Sequence, residues 1–367
     1  MKYDSIVIGG GIGGAASAFR AAQNGQQSLW LLGDKKTRKQ SRSQWVMNLD
    51  NIIGFHEDVI KKQVIKTLQK AGESNGADLI KNQHYHINNR MIIQNTIERL
   101  KNSYHNVEIV EGKVIKLEKV DGGFEVYTSE RSFFGTAVVL ATGVMDNQPS
   151  IRGLNKRGEL IESSQWIYPF ANREQILYCI RCEGHLTRDE QVAVLGYTNM
   201  AAELAMMLYE RYGNKVFILT NGELPEISES RKKILDWYSV EIVIEPIVGI
   251  LSEGVKQLHG FTFPGHEPVN VKFALVSLGL HRVYNELARQ IGARLMDEDQ
   301  PEEKRHIWIN HKGETSVRNL FVVGDAAKRE DEIVMKQVYT AQEYAVRAVD
   351  TIDSRRRRIM RDEVLNK

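Results

Sequence analysis

The chain of 367 residues has a formal net charge of +2, with 42% hydrophobic and 26% charged residues. This composition indicates a globular protein of two domains, and the near-balanced charge excludes the basic surface typical of nucleic-acid-binding proteins. Two cysteines in so long a chain exclude a secreted disulfide framework, and no apolar run approaches the ~18 residues of a membrane span. The N-terminus leads directly into a strand, so we expect a cytoplasmic protein without a signal peptide or membrane segment.

The first predicted elements form a strand–turn–helix unit. The apolar run Ser5–Ile8 is typical of a strand buried in a parallel sheet, and a glycine-rich turn follows at residues 9–14. A helical pattern covers residues 15–24 and ends at Gly25, and a second strand is predicted at residues 28–32. This order is the context in which a glycine-rich turn binds a dinucleotide.

The glycines of this turn fit the G-x-G-x-x-G pattern at Gly9, Gly11 and Gly14, with Gly13 in the same loop. The first glycine permits a tight turn, the second permits backbone to approach a pyrophosphate, and the third lets the helix pack on the strand. The acidic residue expected at the end of the second strand is displaced by one position to Asp34. Asp34 is therefore a candidate ribose ligand, although a solvated loop carboxylate is an equal alternative.

Two later strands favour a flavin over a nicotinamide as the bound dinucleotide. One strand ends in Ala141-Thr142-Gly143, and the other ends in Gly324-Asp325-Ala326. An aspartate at a strand end, before a helix, can bind the ribityl hydroxyls of FAD. With the glycine turn, in this order, the two strand ends predict an FAD site.

The two cysteines form a CxxC motif, Cys179-Ile180-Arg181-Cys182. A zinc site needs four ligands, and only His185 lies nearby, so we expect no metal site. A loop this short restricts few unfolded conformations, which disfavours a purely structural disulfide. A redox-active dithiol is the favoured interpretation.

With these motifs, nearly the whole chain resembles the low-molecular-weight thioredoxin reductases, within the FAD-dependent pyridine-nucleotide disulfide oxidoreductases. The resemblance also covers residues 50–55, which contain Asn51, and the segment Lys336-Gln337-Val338, which is similar to the family's Arg-Gln-Ala at the flavin ring. It implies that Cys182 faces the flavin and that Cys179 attacks the substrate disulfide as a thiolate. Glu183 occupies the place of the family's acidic residue and would move a proton to or from a thiol.

The resemblance implies an α/β fold with two Rossmann-like, three-layer ββα nucleotide-binding domains. We expect a discontinuous FAD domain, residues 1–147 and 271–367, and a CxxC redox domain, residues 148–270, with a degenerate NADPH-domain fold. Residues 107–127 are predicted to form an antiparallel excursion with a hairpin turn at residues 121–123. The stretch 146–178, longer than in the family, either lines a cleft or forms a surface loop packed by its own aromatic residues.

The second glycine turn departs from the family pattern. It reads Gly196-Tyr197-Thr198, and Thr198 stands where NADPH-dependent members carry the second glycine. The following strand ends in Thr220-Asn221-Gly222, without the arginines that would bind the 2′-phosphate of NADP. NADPH is therefore doubtful, and the chain resembles the pyridine-nucleotide-independent branch, which includes ferredoxin-dependent and deeply rooted reductases.

Several functions remain open at this point. The first is electron transfer between FAD, the dithiol and a thioredoxin-like protein, with a ferredoxin-type donor and a homodimeric assembly. The alternatives are an oxygen-dependent oxidase of small dithiols, an NAD(P)H-dependent enzyme with an atypical site, and a flavin/thiol redox sensor. The basic run Arg355–Arg358 would attract an acidic partner, or it is simply solvated. Trp45 would cover the flavin or pack in a core.

Overall fold

The computed structural model describes the chain except for residues 1, 45, 47–48, 50, 55–56, 74–86, 155–156, 255–256, 331–332, 335 and 367. The chain divides into two compact units. The first contains residues 1–44, 87–145 and 280–367, and the second contains residues 45–86 and 146–279. No helix in the described part of the chain combines the length and apolar character needed to cross a membrane.

The α-helices are numbered in chain order. They are α1 Ile12–Gln23, α2 Lys35–Arg38, α3 Glu57–Lys70, α4 Asn89–Ser103, α5 Tyr168–Ala171, α6 Ile180–Glu183, α7 Asn199–Tyr212, α8 Glu229–Trp237, α9 Glu286–Gln290 and α10 Val338–Leu365. Short 3-10 helices lie at Arg42–Gln44, Ser164–Trp166, Gly184–Thr187, Glu302–Lys304 and Gly324–Ala326.

The strands are numbered in the same way. They are β1 Lys2–Tyr3, β2 Ser5–Ile8, β3 Ser28–Leu31, β4 Val107–Val110, β5 Val114–Val120, β6 Gly123–Thr128, β7 Ser132–Gly135, β8 Val138–Leu140, β9 Val144–Asp146, β10 Ile151–Leu154, β11 Leu160–Ser163, β12 Ile176–Leu177, β13 Gln191–Leu195, β14 Lys215–Leu219, β15 Glu241–Val243, β16 Gly249–Glu253, β17 Gln257–Thr262, β18 Val269–Asn270, β19 Phe273–Val276, β20 Leu280–Val283, β21 Ile307–Trp308, β22 Leu320–Val322 and β23 Ala327–Lys328.

The first unit is built on a parallel sheet in the order β22-β8-β2-β3-β4. Its central strand β2 is fully buried because a helix layer covers one face and a second sheet, β1-β7-β6-β5, covers the other. Ala15 and Ala18 of α1 and Leu117 and Phe124 of the second sheet belong to one core with the parallel strands. Small residues on α1 let the helix lie close to the sheet.

The second unit repeats this three-layer plan. Its parallel sheet has the order β12-β19-β13-β14-β15, and an antiparallel sheet, β16-β17-β18, packs against one face through Leu258 and Phe261. The other face packs against α7 and α8 through residues such as Ala202 and Leu235. The predicted fold class, two Rossmann-like ββα domains, is confirmed.

The predicted domain layout differs from the two units at residues 45–86. The order of motifs along the chain predicts this segment in the FAD domain, whereas the structure groups it with the unit that contains the cysteines. Val46 lies in the same core cluster as Ile151 and Cys182, and Asn51 contacts the backbone of Arg181. The chain passes between the two units at 44/45, 86/87, 145/146 and 279/280. The domain boundaries expected from the sequence, at 147/148 and 270/271, stay a prediction.

Candidate active site

The glycine turn of the first unit is shaped by close backbone contacts. Gly9 has φ of +128°, and a Cβ there would lie 2.2 Å from the carbonyl oxygen of Ala141. A Cβ at Gly14 would lie 1.9 Å from the carbonyl oxygen of Gly9, which also accepts a hydrogen bond from Trp30 Nε1. A Cβ at Gly11 would meet only Ser41 Oγ, at 4.0 Å, so this backbone is open to a ligand. These are the three roles that the pattern predicts for its glycines.

A cavity of about 700 Å³ opens beside this turn. Gly9, Gly11 and Gly33 line it together with Ala141 and Thr142. Its size lies within the range of dinucleotide and drug-sized ligand sites. Because Gly11, the residue before α1, has no side chain to cap the helix, the first amide groups of α1 remain available to an anionic ligand. The open backbone, the cavity and the free helix start fit the diphosphate of FAD.

The Gly-Asp-Ala strand end adjoins the same turn. A Cβ at Gly13 would lie 3.1 Å from Val323 Cγ2 and 3.7 Å from the amide nitrogen of Gly324. The carboxylate of Asp325 lies 3.8 Å from the guanidinium of Arg42, and both side chains are mostly buried. The structure therefore brings together two segments that are more than 300 residues apart in the chain.

The Ala141-Thr142-Gly143 turn is fixed by Tyr284. Thr142 Oγ1 donates a hydrogen bond to the carbonyl oxygen of Tyr284 at 2.6 Å, and Tyr284 N donates to the carbonyl oxygen of Gly143 at 3.0 Å. Tyr284 lines the cavity, and its hydroxyl donates to the carbonyl oxygen of Gln40. Burial raises the pKa of Tyr284, with Arg282 acting in the opposite direction. The sequence carries no signal for Tyr284 in this role, because no local pattern marks a partner 142 residues away from Thr142.

The remaining predicted cofactor residues lie away from the lining of this cavity. Asp34 caps α2, where its carboxylate accepts hydrogen bonds from the amide and hydroxyl groups of Thr37. These hydrogen bonds to Thr37 lower the pKa of Asp34. Lys336, Gln337 and Val338 form the start of α10, where Gln337 is buried and donates a hydrogen bond to the carbonyl oxygen of Lys336.

The two cysteines form a disulfide at the carboxyl end of β12, with their Cα atoms 5.3 Å apart. Cys179 is half-buried and caps the short helix α6, with its Sγ accepting a hydrogen bond from Cys182 N at 3.3 Å. Cys182 is only 5% exposed and packs in the core of the second unit. The geometry makes Cys179 the more accessible sulfur, which is what an attacking group needs.

Glu183 is buried beside the backbone that carries Cys179. Its side chain is 1% exposed, and its Oε2 accepts hydrogen bonds from the backbone amides of Tyr178 and Cys179, at 3.1 and 3.2 Å. The carboxylate therefore holds the backbone at Tyr178 and Cys179, directly after β12. A carboxyl group beside a dithiol can also exchange a proton with it, which is the predicted role.

Side chains of the stretch 146–178 pack in the same core cluster as Cys182. Ile151, Ile167 and Phe170 are buried in the same cluster as Cys182, and the Tyr178 hydroxyl donates a hydrogen bond to Gln148 at 2.5 Å. These side chains belong to the core of the second unit rather than to a loop packed only by its own aromatics. Trp45, expected near the flavin or in a core, lies outside the described residues.

Comparison with known proteins decides the family. The model of the pyridine nucleotide-disulphide oxidoreductases matches residues 3–345, which is nearly the whole chain. The chain belongs to the pyridine nucleotide-disulphide oxidoreductase family. The predicted disulfide oxidoreductase resemblance is thereby confirmed at the level of the family.

Individual relatives of this family are distant. An NAD(P)H sulfur oxidoreductase (CoA-dependent) from Pyrococcus abyssi is 24% identical over 242 residues, or 64% of this chain, and the match spans about half of that relative, 48%. Thioredoxin reductase from Streptococcus pyogenes has a TM-score of 0.70 at 17% identity, covering 96% of this chain and 97% of its own. Thioredoxin reductase from Giardia duodenalis has a TM-score of 0.69 at 15% identity, covering 96% and 98%. At these identities the structures show a shared fold.

The second glycine turn of this family member is covered by its own chain. Glu226 N donates a hydrogen bond to the carbonyl oxygen of Tyr197 at 2.7 Å, and Thr198 forms a bridge with Glu226. Asn199 Oδ1 accepts a hydrogen bond from Ser228 N at 2.8 Å. Residues 226–228 thus lie against the turn where family members with an intact pattern place a pyrophosphate.

The end of β14 is held by hydrogen bonds to other parts of the second unit. Asn221 has φ of +57°, and its side chain hydrogen-bonds the carbonyl oxygen of Ser150 and the amide of Ile247. Arg231, the nearest arginine further along the chain, pairs with Glu203 at 2.8 Å. Among the described residues 220–222 that follow β14 there is no arginine.

Proposed function

We propose that the protein is an FAD-dependent disulfide oxidoreductase of the thioredoxin reductase type. The first unit would hold FAD, which would exchange electrons with the Cys179–Cys182 pair of the second unit, and this pair would pass them to a thioredoxin-like protein. The observation that carries this proposal is the disulfide itself, which joins an accessible and a buried sulfur above a buried carboxylate. Bound FAD would supply a two-electron redox centre.

Within this proposal, the chain's own residues have separate tasks. The glycine turn and Asp325 hold the cofactor, with Lys336, Gln337 and Val338 as further candidates at the flavin ring. Cys179 exchanges with the substrate disulfide, and Cys182 resolves the mixed disulfide. Glu183 fixes the Cys179 backbone and exchanges a proton with the dithiol. Asn51 donates a hydrogen bond to the carbonyl oxygen of Arg181 in the CxxC turn, and its predicted contact with the cofactor stays a prediction.

We further propose that NADPH is not the donor. This is supported by the cover that residues 226–228 form over the second glycine turn, by Thr198, and by the absence of an arginine at the described end of β14. A ferredoxin-type protein is the proposed donor. The basic run at 355–358 has little unpaired positive charge with which to attract that donor. Arg355 pairs with Glu314, and Arg356 and Arg357 pair with Asp353.

A second candidate has a specific observation in its favour. The Pyrococcus abyssi relative is named as an NAD(P)H sulfur oxidoreductase, so an NAD(P)H-dependent function with an altered site remains the main competitor. Small dithiols as substrates with oxygen as acceptor, and a sensor that reacts once, complete the alternatives. An enzyme reduces many disulfides per flavin, whereas a sensor stops after one.

We further propose that the protein is a homodimer in the cytoplasm.

The proposed relay is tested by measuring the flavin content of the protein and the reduction of that flavin by dithiothreitol in the absence of oxygen. We expect the wild-type protein to be purified with FAD, and we expect dithiothreitol to bleach the visible absorbance of this flavin. We expect the flavin of Cys182→Ser to resist dithiothreitol while dithionite still reduces it. Equal bleaching of the wild type and Cys182→Ser would contradict a relay through the dithiol.

A further inference from the structure

The CxxC turn of the second unit presents one charged side chain to solvent. In α6, Cys182 and Glu183 are buried and Ile180 is half-buried against the helix-side core, whereas Arg181 is exposed. Exposed charges on short turns are common, so exposure alone gives Arg181 no role. Arg181 is distinguished by its place in the sequence between the two cysteines and by its lack of a carboxylate partner among the described residues.

Arg181 differs from many arginines of this chain in having no neutralising partner. Arg20, Arg231 and Arg355 each contact a carboxylate within 2.8 Å. Within the described part of the chain, the Arg181 guanidinium makes no hydrogen bond and no ion pair, and only its backbone carbonyl is engaged, by Asn51. Its full positive charge is therefore available to an incoming molecule.

The charge of Arg181 acts at the sulfurs because the chain keeps it near. Two residues of extended chain span at most about 7 Å, so the Arg181 backbone stays within about one Debye length of Cys179 at ~0.1 M salt. The carboxylate closest to Cys179, Glu183, is buried and faces backbone amides rather than solvent. Among the charged side chains of the CxxC turn, Arg181 is therefore the one that an approaching disulfide meets.

We propose that Arg181 is a specificity-determining residue that favours disulfide substrates carrying negative charge beside the scissile bond. This inference rests on the proposed function of the Cys179–Cys182 pair. The preferred substrate would be an acidic protein segment or a small disulfide with carboxylate groups. A neutral disulfide would gain nothing from Arg181, and a cationic disulfide would be disfavoured.

The reaction itself is ordinary thiol–disulfide exchange. The Cys179 thiolate attacks one substrate sulfur, so a mixed disulfide forms and the first substrate thiolate leaves. Cys182 then loses its proton and attacks Cys179 Sγ, so the protein disulfide forms again and the second thiolate leaves. Two electrons pass from the protein dithiol to the substrate, and the two protons of the dithiol end on the product thiols or in solvent.

The test uses the purified full-length protein, reduced with dithiothreitol and desalted without oxygen. Second-order rate constants are measured by rapid acid quench and mass spectrometry with three disulfides. These are dianionic 5,5′-dithiobis(2-nitrobenzoate), neutral 2-hydroxyethyl disulfide and dicationic cystamine. Each variant is compared with wild type for each reagent, which cancels the different intrinsic reactivities of the reagents.

We expect Arg181→Gln to slow the dianionic reagent about threefold, accelerate cystamine by a similar factor and leave the neutral reagent unchanged, at low salt. Arg181→Glu should enlarge both effects to about tenfold, and ~1 M salt should suppress them. Arg181→Lys should behave like wild type. Arg211→Gln is the matched control, since Arg211 is also exposed and without a partner among the described residues of the second unit.

Equal changes for all three reagents, or no change for any, would overturn the role of Arg181. This outcome is distinguishable from failure of the proposed function. If dithiothreitol does not reduce the flavin but charge selectivity is present, the relay proposal fails and the Arg181 inference stands. If the flavin is reduced and the selectivity is absent, only the Arg181 inference fails.

Discussion

Cys179 and Cys182 differ in exposure, and on this difference we propose different tasks for them. Cys179 is half-buried and Cys182 is 5% exposed. Disulfide exchange requires an unhindered approach to the attacking sulfur, which only Cys179 offers. In the proposed relay, the buried Cys182 is the sulfur that communicates with the flavin.

Substitution of each cysteine tests this assignment by spectroscopy. We expect Cys179→Ser to show a long-wavelength charge-transfer absorbance between the Cys182 thiolate and oxidised flavin. Cys182→Ser should lack this absorbance, because its remaining thiol is the substrate-facing one. The measurement is a pH titration of the visible spectrum of both variants. An absorbance band in Cys182→Ser and none in Cys179→Ser would reverse the two roles.

Glu183 is expected to have both a structural and a chemical effect. Glu183→Ala leaves the buried amides of Tyr178 and Cys179 without their acceptor, which should lower the free energy of unfolding by about 1–3 kcal/mol. Glu183→Gln keeps an acceptor oxygen, so stability should change less while dithiol oxidation slows. Chemical denaturation and single-turnover kinetics separate the two effects. Glu190→Gln, at a carboxylate paired with Lys272, is the control. Unchanged kinetics in Glu183→Gln would contradict proton exchange.

His306 makes stability depend on pH. Burial lowers the pKa of His306, although the carboxylate of Asp297, 2.7 Å from Nδ1, acts in the opposite direction. A lowered pKa means that the unfolded chain binds a proton more readily, so stability is complete above the unfolded pKa of about 6.5 and falls as pH decreases below it. The melting temperature of wild type should therefore fall between about pH 6.5 and 5.

Replacing His306 tests this dependence. His306→Gln should reduce the fall of melting temperature within that pH window, because the unfolded chain then has one fewer group to protonate. His105→Gln, at an exposed histidine, should retain the wild-type profile. Thermal unfolding followed by circular dichroism at several pH values provides the measurement. Identical profiles for wild type and His306→Gln would show that His306 does not set the dependence.

At the scale of elements, the covered turn in the second unit predicts the effect of restoring its glycine. Thr198→Gly removes the side chain from the turn, but the hydrogen bond from Glu226 to Tyr197 remains. We therefore expect Thr198→Gly to gain no reduction by NADPH, as measured from flavin absorbance without oxygen. Rapid bleaching of this variant by NADPH would show that Thr198 alone closes the site.

The elements of the parallel sheets were largely predictable from the sequence. Apolar runs identified β2 and β3 to within one residue, because strands buried on both faces are continuously hydrophobic. Helix α1 begins at Ile12, earlier than predicted, since its first turn contains glycines that the helical pattern does not register. The predicted hairpin at residues 107–127 begins later, at β5, because Val107–Val110 pairs with β3 instead.

The candidate site was predictable where a motif is local and not where contacts are distant. The glycine turn and the CxxC motif are short patterns whose chemistry can be inferred from spacing. The sequence allows Asp34 either to bind a ribose or to remain a loop carboxylate. Its role as the cap of α2 becomes visible only when the position of that helix is known. The contacts of Thr142 with Tyr284 and of Asn51 with Arg181 join residues far apart in sequence, which a single chain without structure does not disclose.

At the scale of the whole molecule, the candidate cofactor site and the dithiol lie in different units. The first has an open glycine turn and a cavity, and the second has the dithiol and a covered turn. Residues 45–86 join the second unit through Val46, which the order of motifs along the chain does not indicate. The central claim is that FAD and the dithiol exchange electrons without a nicotinamide.

The most direct test is to mix the purified flavoprotein with NADPH, and separately with NADH, without oxygen and to follow flavin absorbance. Dithionite and dithiothreitol serve as positive controls. The account predicts no bleaching by either nucleotide, with full reduction by dithiothreitol through Cys179 and Cys182. Rapid bleaching by NADPH or NADH would contradict it, because the covered turn would then still bind a nicotinamide donor.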